Sequence, residues 1–157
     1  HHQEKMCTQT FVYSKSNMEL KVKKLHPDAK LPSYAHASDA GMDLYTVEDF
    51  TIEPGGNYIA KTGVAIVIPD GYAALVWDKG GIAMQRHIKT VGGVFDTDYR
   101  GEYLIGLYNF GSEAQSFKAG DKIAQLIIQQ VEHPTLVVVV ELDDTPRGEG
   151  RFGSTGQ

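Results

Sequence analysis

The stretch Val64-Ala65-Ile66-Val67-Ile68-Pro69-Asp70-Gly71-Tyr72-Ala73-Ala74-Leu75-Val76-Trp77 places two short apolar runs on either side of Pro-Asp-Gly. Proline presets the φ of a turn and glycine tolerates its left-handed position, so the tripeptide reads as a turn. The flanking runs, Val64 to Ile68 and Ala73 to Trp77, then read as strands.

The same grammar repeats outward. Toward the N-terminus, Met18-Glu19-Leu20-Lys21-Val22-Lys23-Lys24-Leu25 alternates apolar with charged residues, the period of a half-buried strand, and His26-Pro27-Asp28 ends it. Met42 to Tyr45 and Asn57 to Ala60 follow. Toward the C-terminus come Leu104 to Phe110, Ile123 to Val131 and Leu136 to Leu142. Glu53-Pro54-Gly55-Gly56, Gly92-Gly93, Gly111 and Ala119-Gly120-Asp121 punctuate them. Many short strands at near-regular spacing predict an all-β sandwich or barrel, with Gly81 to His87 as one short helix. The run Leu136-Val137-Val138-Val139-Val140 is wholly apolar and unsuited to an exposed edge, so it is expected to be covered on both faces, naturally by a neighbouring subunit.

The organisation predicted is a leader or appended remnant at residues 1–17, one β domain at 18–143, and a mobile arm at 144–157, where four glycines and a proline preclude regular structure. A chain of 157 residues, 41% hydrophobic and 22% charged, with mean hydropathy −0.27, fits one globular domain. No stretch reaches the ~20 apolar residues of a membrane helix, and no secretory signal run is visible, so no membrane partner is expected. The single cysteine, Cys7, points to a reducing, cytoplasmic compartment. Net charge is −5, which argues against a nucleic-acid polymer as partner but is compatible with a small phosphorylated ligand.

Four segments carry groups suited to chemistry. Ser38-Asp39-Ala40-Gly41-Met42-Asp43-Leu44 sets two carboxylates around a glycine, although a turn using Asp39 for backbone hydrogen bonds, followed by a strand, is the simpler reading of this segment taken alone. In Trp77-Asp78-Lys79-Gly80-Gly81-Ile82-Ala83, glycines would let backbone N–H groups approach a phosphate and Lys79 adds charge; a plain glycine turn is the other reading. Gly92-Gly93-Val94-Phe95-Asp96-Thr97-Asp98-Tyr99-Arg100-Gly101-Glu102 is denser in functional groups than a structural hairpin needs, with a hairpin bearing charged tips as the other reading. In the arm, Arg147 and Arg151 surround Phe152, and Gly153-Ser154-Thr155-Gly156 offers N–H groups and hydroxyls to a phosphate, with the aromatic free to stack on a base. His26, His36, His87 and His133 show no metal-site spacing, and neither a P-loop nor a Gly-x-Ser-x-Gly elbow is present.

In this order the segments resemble the five motifs of the trimeric dUTPase family. Ala40 to Leu44 is similar to the first, Asp78 to Ala83 to the second and Gly93 to Glu102 to the third. Gly120-Asp121-Lys122-Ile123-Ala124-Gln125-Leu126 is similar to the fourth and Arg147 to Gly156 to the fifth. The resemblance implies a jelly-roll-like β-barrel or sandwich of the β-clip type, assembling as a homotrimer with active sites shared between subunits. It implies hydrolysis of dUTP to dUMP and pyrophosphate, with Mg²⁺ bound mainly by the substrate phosphates. Asp96 would activate the attacking water, Tyr99 would pack under the deoxyribose, and the backbone of Gly93, Val94 and Leu104 would read uracil. Lys79, Gly80, Gly81 and Gln125 would meet the phosphates, while Asp43 would hold a metal-bound water. Arg147, Phe152, Gly153, Ser154 and Thr155 would close over the substrate.

Two positions depart from the family pattern. Lys79-Gly80-Gly81 stands where Arg-Ser-Gly is usual, removing one hydroxyl and the bidentate fork of arginine. Arg151 stands where glycine is usual. Two other readings share the fold. A dCTP deaminase would carry a catalytic glutamate in a different third segment, whereas this chain has the Asp96/Tyr99 hairpin. A nucleotide-sensing or partner-binding trimer would explain the altered second motif, but would have no use for Asp96, Gln125 and a stacking arm.

Overall fold

A computed structural model describes residues 16–153. The elements run β1 (Lys21–Lys24), β2 (Met42–Tyr45), β3 (Phe50–Ile52), β4 (Asn57–Lys61), β5 (Val64–Val67), β6 (Tyr72–Trp77), α1 (Gly80–Arg86), β7 (Ile88–Val91), β8 (Val94–Phe95), β9 (Leu104–Asn109), β10 (Gln115–Phe117) and β11 (Lys122–Gln130). All pairings are antiparallel. They form a four-stranded sheet ordered β2-β11-β6-β8, a three-stranded sheet β4-β9-β7, and the pairs β1-β5 and β10-β3.

The fold is all-β with one short helix, as the turn-bounded runs predict. Tyr103, Phe117, Leu44, Ile66, Leu107 and Leu126 are fully buried between the sheets, each side chain of this size contributing about 1.5–3 kcal/mol on burial. Tyr103 stacks on Phe95 with ring centroids 4.0 Å apart, and its enclosure pushes the phenol up to about 12. Buried Asn109 donates to the carbonyls of Ile52 (2.9 Å) and Glu113 (2.7 Å) and accepts from the Gly111 N–H (2.9 Å). This ties β9 to β3 and to the turn before β10 without an unpaired polar group.

Some expectations need correction. Leu136 to Leu142 is not a strand: Leu136 is 90% and Val138 98% exposed. Valine favours a strand only when a ladder partner and a packing face exist, and this chain supplies neither there. β1, expected half-buried, is exposed along its whole length. Strands β3, β7, β8 and β10 were not foreseen; they have two to four residues each, and are held by their partners rather than by their own pattern. The helix starts and ends one residue earlier than expected. His87 closes it in the left-handed region at φ 56°, and Arg86 ties it to β10 through Gln115 Oε1 (2.8 Å) and the Ser116 carbonyl (2.7 Å). Among the described residues no helix is long and apolar enough to cross a membrane.

Candidate active site

The four-stranded sheet determines which polar groups meet. On β11, Gln125 lies opposite Asp43 of β2 and opposite Trp77 of β6. Directly opposed residues share a face, and so do residues two apart. Asp43, Gln125 and Trp77 therefore face the same way, and Lys79, two beyond Trp77, follows. Lys122 joins them because the β2–β11 register shifts between Lys122 and Ala124, an irregularity of the β-bulge kind that restores the face a spacing of three would lose.

Asp43 is the centre of this group and is 2% exposed. Its Oδ1 is bound by Lys79 Nζ, and its Oδ2 lies 2.9 Å from Lys122 Nζ without the alignment of a hydrogen bond. Burial by itself pushes the carboxyl up; the two ammonium groups outweigh it and hold the value below the ordinary one. Gln125 Nε2 donates to the Asp78 carbonyl at 2.8 Å, and its Oε1 sits 2.7 Å from where a Cβ at Gly41 would lie, so a side chain there would push the Gln125 amide out of place. Asp78 is a further member that the motif reading left without a role. Its carboxylate accepts from the Thr90 N–H, Thr90 Oγ1 and Lys89 Nζ, each at 2.7 Å. Burial raises its carboxyl too, and Lys89 and Thr90 more than offset that.

Gly80 and Gly81 open the helix. Helix geometry leaves the first-turn N–H groups without intrahelical acceptors, and a Cβ at either glycine would meet nothing within 4 Å.

The third-motif residues lie elsewhere. The β7–β9 ladder ends at Val91 and Gly106; beyond it Gly92–Gly93 and Leu104 diverge as a fork. Gly93, at φ 118°, approaches β6 so closely that a Cβ would stand 2.9 Å from the Val76 carbonyl, and its own carbonyl accepts from the Val76 N–H at 2.7 Å. Val94 is 68% exposed. Tyr99 donates to the Glu102 carbonyl at 2.7 Å, and Arg100 braces the tip through the carbonyls of Thr97 (2.6 Å) and Tyr99 (3.0 Å). Asp96 is exposed and shares a cleft of about 320 Å³ with Asp70, Tyr72 and His133.

Phe95 pairs with Ala74 near the start of β6, whereas Lys79 follows its far end. Asp96 follows Phe95 and so falls beside Ala73, and six residue steps of extended chain from Ala73 to Lys79 span about 20 Å. One chain thus does not bring Asp96 to its own Asp43 and Lys79.

In the arm, Arg147 bonds the carbonyls of Gly150 (2.6 Å) and Arg151 (3.1 Å). Phe152 is 87% exposed with the Arg151 guanidinium 5.0 Å from its ring, and Gly153 has φ 72°. Ser154 and Thr155 lie outside the described residues, as do residues 1–15 of the expected leader.

Among the described residues no group of three or more acidic, histidine or cysteine side chains could cage a metal. Such a donor set suits an ion carried on ligand phosphates rather than one caged by the chain; Asp43 Oδ2, buried beside Lys122 Nζ at 2.9 Å without a hydrogen bond, is the oxygen left over for a water of its shell once Lys122 moves aside.

Two ammonium groups and one ionised carboxylate on a single face, beside the open first turn of a helix, are the groups a phosphate chain needs, and they point to a β-domain of the nucleotide-binding class. A family model for dUTPase matches residues 27–156, and the chain belongs to that family. Deoxyuridine 5'-triphosphate nucleotidohydrolases of Thermobifida fusca (44% identical, 88% of this chain and 79% of the relative) and Zymomonas mobilis (45%, 88% and 98%) are similar to it. The human mitochondrial enzyme is 41% identical over 89% of this chain and 56% of its own length. Among solved structures, a mutant dUTPase of Staphylococcus bacteriophage 80alpha with dUpNHpp superposes at TM-score 0.83 with 29% identity, covering 90% of this chain and all of that one. A mutant dUTPase of phage phi11, described with a structural Mg(II) ion, gives 0.75 at 27% identity, covering 81% and 100%. The fold is thus jelly-roll-like, in line with the sequence.

Proposed function

We propose that this chain hydrolyses dUTP to dUMP and pyrophosphate by attack of water on the α-phosphate, keeping uracil out of DNA and supplying dUMP for thymidylate synthesis. The observation that carries the reading is the gathering of Asp43, Lys79 and Gln125 on one face of one sheet, in a chain that matches dUTPases over residues 27–156.

The phosphates lie against Lys79, the Gly80 and Gly81 amides and Gln125. Uracil enters the fork between Gly93–Val94 and Leu104, where its two carbonyls and its N3–H continue the interrupted ladder. Cytosine inverts that pattern at its 4-amino group and leaves buried groups unpaired. The Tyr99 ring, held by Glu102, lies under the deoxyribose and refuses a 2′-hydroxyl. Asp96 orients the attacking water and takes its proton. Asp43 would hold a water of an Mg²⁺ ion carried by the substrate phosphates, and that ion would supply charge neutralisation.

The distance of Asp96 from Lys79 in one chain supports a site shared between copies in a homotrimer. The exposed Leu136–Val140 run supports it as well. So does the arm: among the described residues, every hydrogen bond of residues 132–153 stays within four positions in sequence. From a neighbour, Arg147 and Gly153 to Thr155 reach the outer phosphates and Phe152 covers the base, excluding bulk water. We assign the reaction to the cytoplasm.

Pyrophosphate release from dUTP, dCTP, dTTP and UTP, with wild type and Asp96→Asn, tests the reading. Turnover of dUTP alone, lost in the variant, is expected. Tight dUTP binding by the wild type without turnover would overturn it in favour of a sensor.

A further inference from the structure

Lys79, Gly80 and Gly81 form the loop assigned to the phosphates; Lys79 is tied by its ammonium to Asp43, but nothing packs against the two glycines to hold their path. Neither glycine has a neighbour within reach of a Cβ, and the helix they open has no side-chain cap. Successive glycines in open space give the backbone the greatest conformational freedom. Lys79 reaches Asp43 only by the tip of a long, flexible side chain; the last residue before them fastened to neighbouring strands by both its short side chain and its backbone is Asp78. Its carboxylate takes three donors from β7, and its carbonyl takes the Gln125 amide of β11.

We propose that Asp78 is a positioning residue for the phosphate half of the site: by fastening the end of β6 to Thr90 and Lys89, it sets where Lys79 and the glycine amides stand, and its carbonyl orients Gln125. This rests on the dUTP-hydrolysis reading and deepens it. Hydrogen bonds to a carboxylate are roughly twice as strong as neutral ones, and this side chain is only 23% exposed, so the anchor is sheltered from water. β7 runs directly into Gly92–Gly93, so the same bonds also fix the spacing between the loop and the start of the fork. Fixing that spacing matters because a displacement of about 1 Å at a reacting group can cost about 100-fold in rate.

The test is steady-state hydrolysis of Mg·dUTP by Asp78→Ala, Asp78→Asn and Thr90→Val, with a thermal midpoint for each. For folded Asp78→Ala, kcat is expected to fall about 10- to 100-fold with KM changed less than about threefold. Asp78→Asn keeps an oxygen for Thr90 and should recover most of the loss; a purely structural role would move midpoints and leave kcat per folded enzyme alone. Asp78→Ala combined with Thr90→Val should be no slower than Asp78→Ala alone, since both cut one link. A folded Asp78→Ala with kcat within about twofold of wild type would overturn the inference, as would an Asn variant no better than Ala. Should Asp78→Ala fail to fold, Thr90→Val decides: lowered kcat supports the anchor and unchanged kcat removes it. A folded wild type inert toward dUTP defeats the hydrolysis reading and this inference with it, an outcome distinct from failure at Asp78 alone.

Discussion

Lys122 Nζ lies 2.9 Å from Asp43 Oδ2, on the opposite side of the carboxylate from Lys79. One buried acid is thereby held between two cations from different elements, so β2, β11 and the loop after β6 are bound into one rigid corner. A carboxylate this enclosed is stable only while its partners stay.

Lys79→Met keeps most of the apolar stem and removes the ammonium. Asp43 then has Lys122 alone. Urea unfolding should show a loss of about 1–3 kcal/mol, below the usual cost of breaking a buried pair because Lys122 remains. An unchanged midpoint would mean that the Lys79 contact contributes nothing to the fold.

Acid should dissolve the same corner. The folded-state value of Asp43 lies below its ordinary 3.8, so the unfolded chain binds more protons in that window and stability rises with pH. The contribution is complete above the unfolded value and is lost as pH falls through the folded one; Asp78 behaves in the same sense. Unfolding free energies of wild type and Asp43→Asn, measured from about pH 6 to pH 2.5, should converge at the acid end. A constant difference across that range would contradict the ion-pair account.

Gly80 has an ordinary φ, and a Cβ there meets nothing. Gly80→Ser should therefore fold as well as wild type and place a hydroxyl where the loop now has none. A gain in kcat of about 10- to 100-fold is expected if that hydroxyl donates at the transition state. Pyrophosphate release at saturating dUTP measures it. No gain would show that the backbone amides already suffice.

Phe152 buries almost nothing in its own chain. Phe152→Ala should leave unfolding stability within about 0.5 kcal/mol of wild type, while kcat/KM for dUTP drops by the ~1–3 kcal/mol of a lost base stack. A stability loss with kinetics intact would move this residue from the substrate to a packing role.

Runs bounded by glycine or proline were readable from sequence to within three residues, because turn chemistry and strand propensity are local. β8 was not: its two residues exist because the Gly93 carbonyl meets the Val76 N–H, a long-range fact. The valine run misled for the opposite reason, since strong strand propensity cannot form a strand without a partner. In the site, Gly41, Asp43, Lys79 and Gln125 could be singled out from their motifs. Lys122 could not, because three residues before Gln125 puts it on the wrong face of a regular strand, and the register shift at Ile123 leaves no mark in composition. Asp78 had no role in the motif reading, and its bonds to Thr90 become visible only when β7 folds back to it.

If the site is shared between copies of a homotrimer, as proposed above, the length of β6 has a genetic meaning. A chain defective at Lys79 and another defective at Asp96 would each be inactive alone. Mixed in one trimer, the intact loop of the second could face the intact hairpin of the first, and equal random mixing would restore about one site in four. Two dead alleles of this gene would then rescue one another, and a single allele damaged at both ends of the strand would poison its healthy partners.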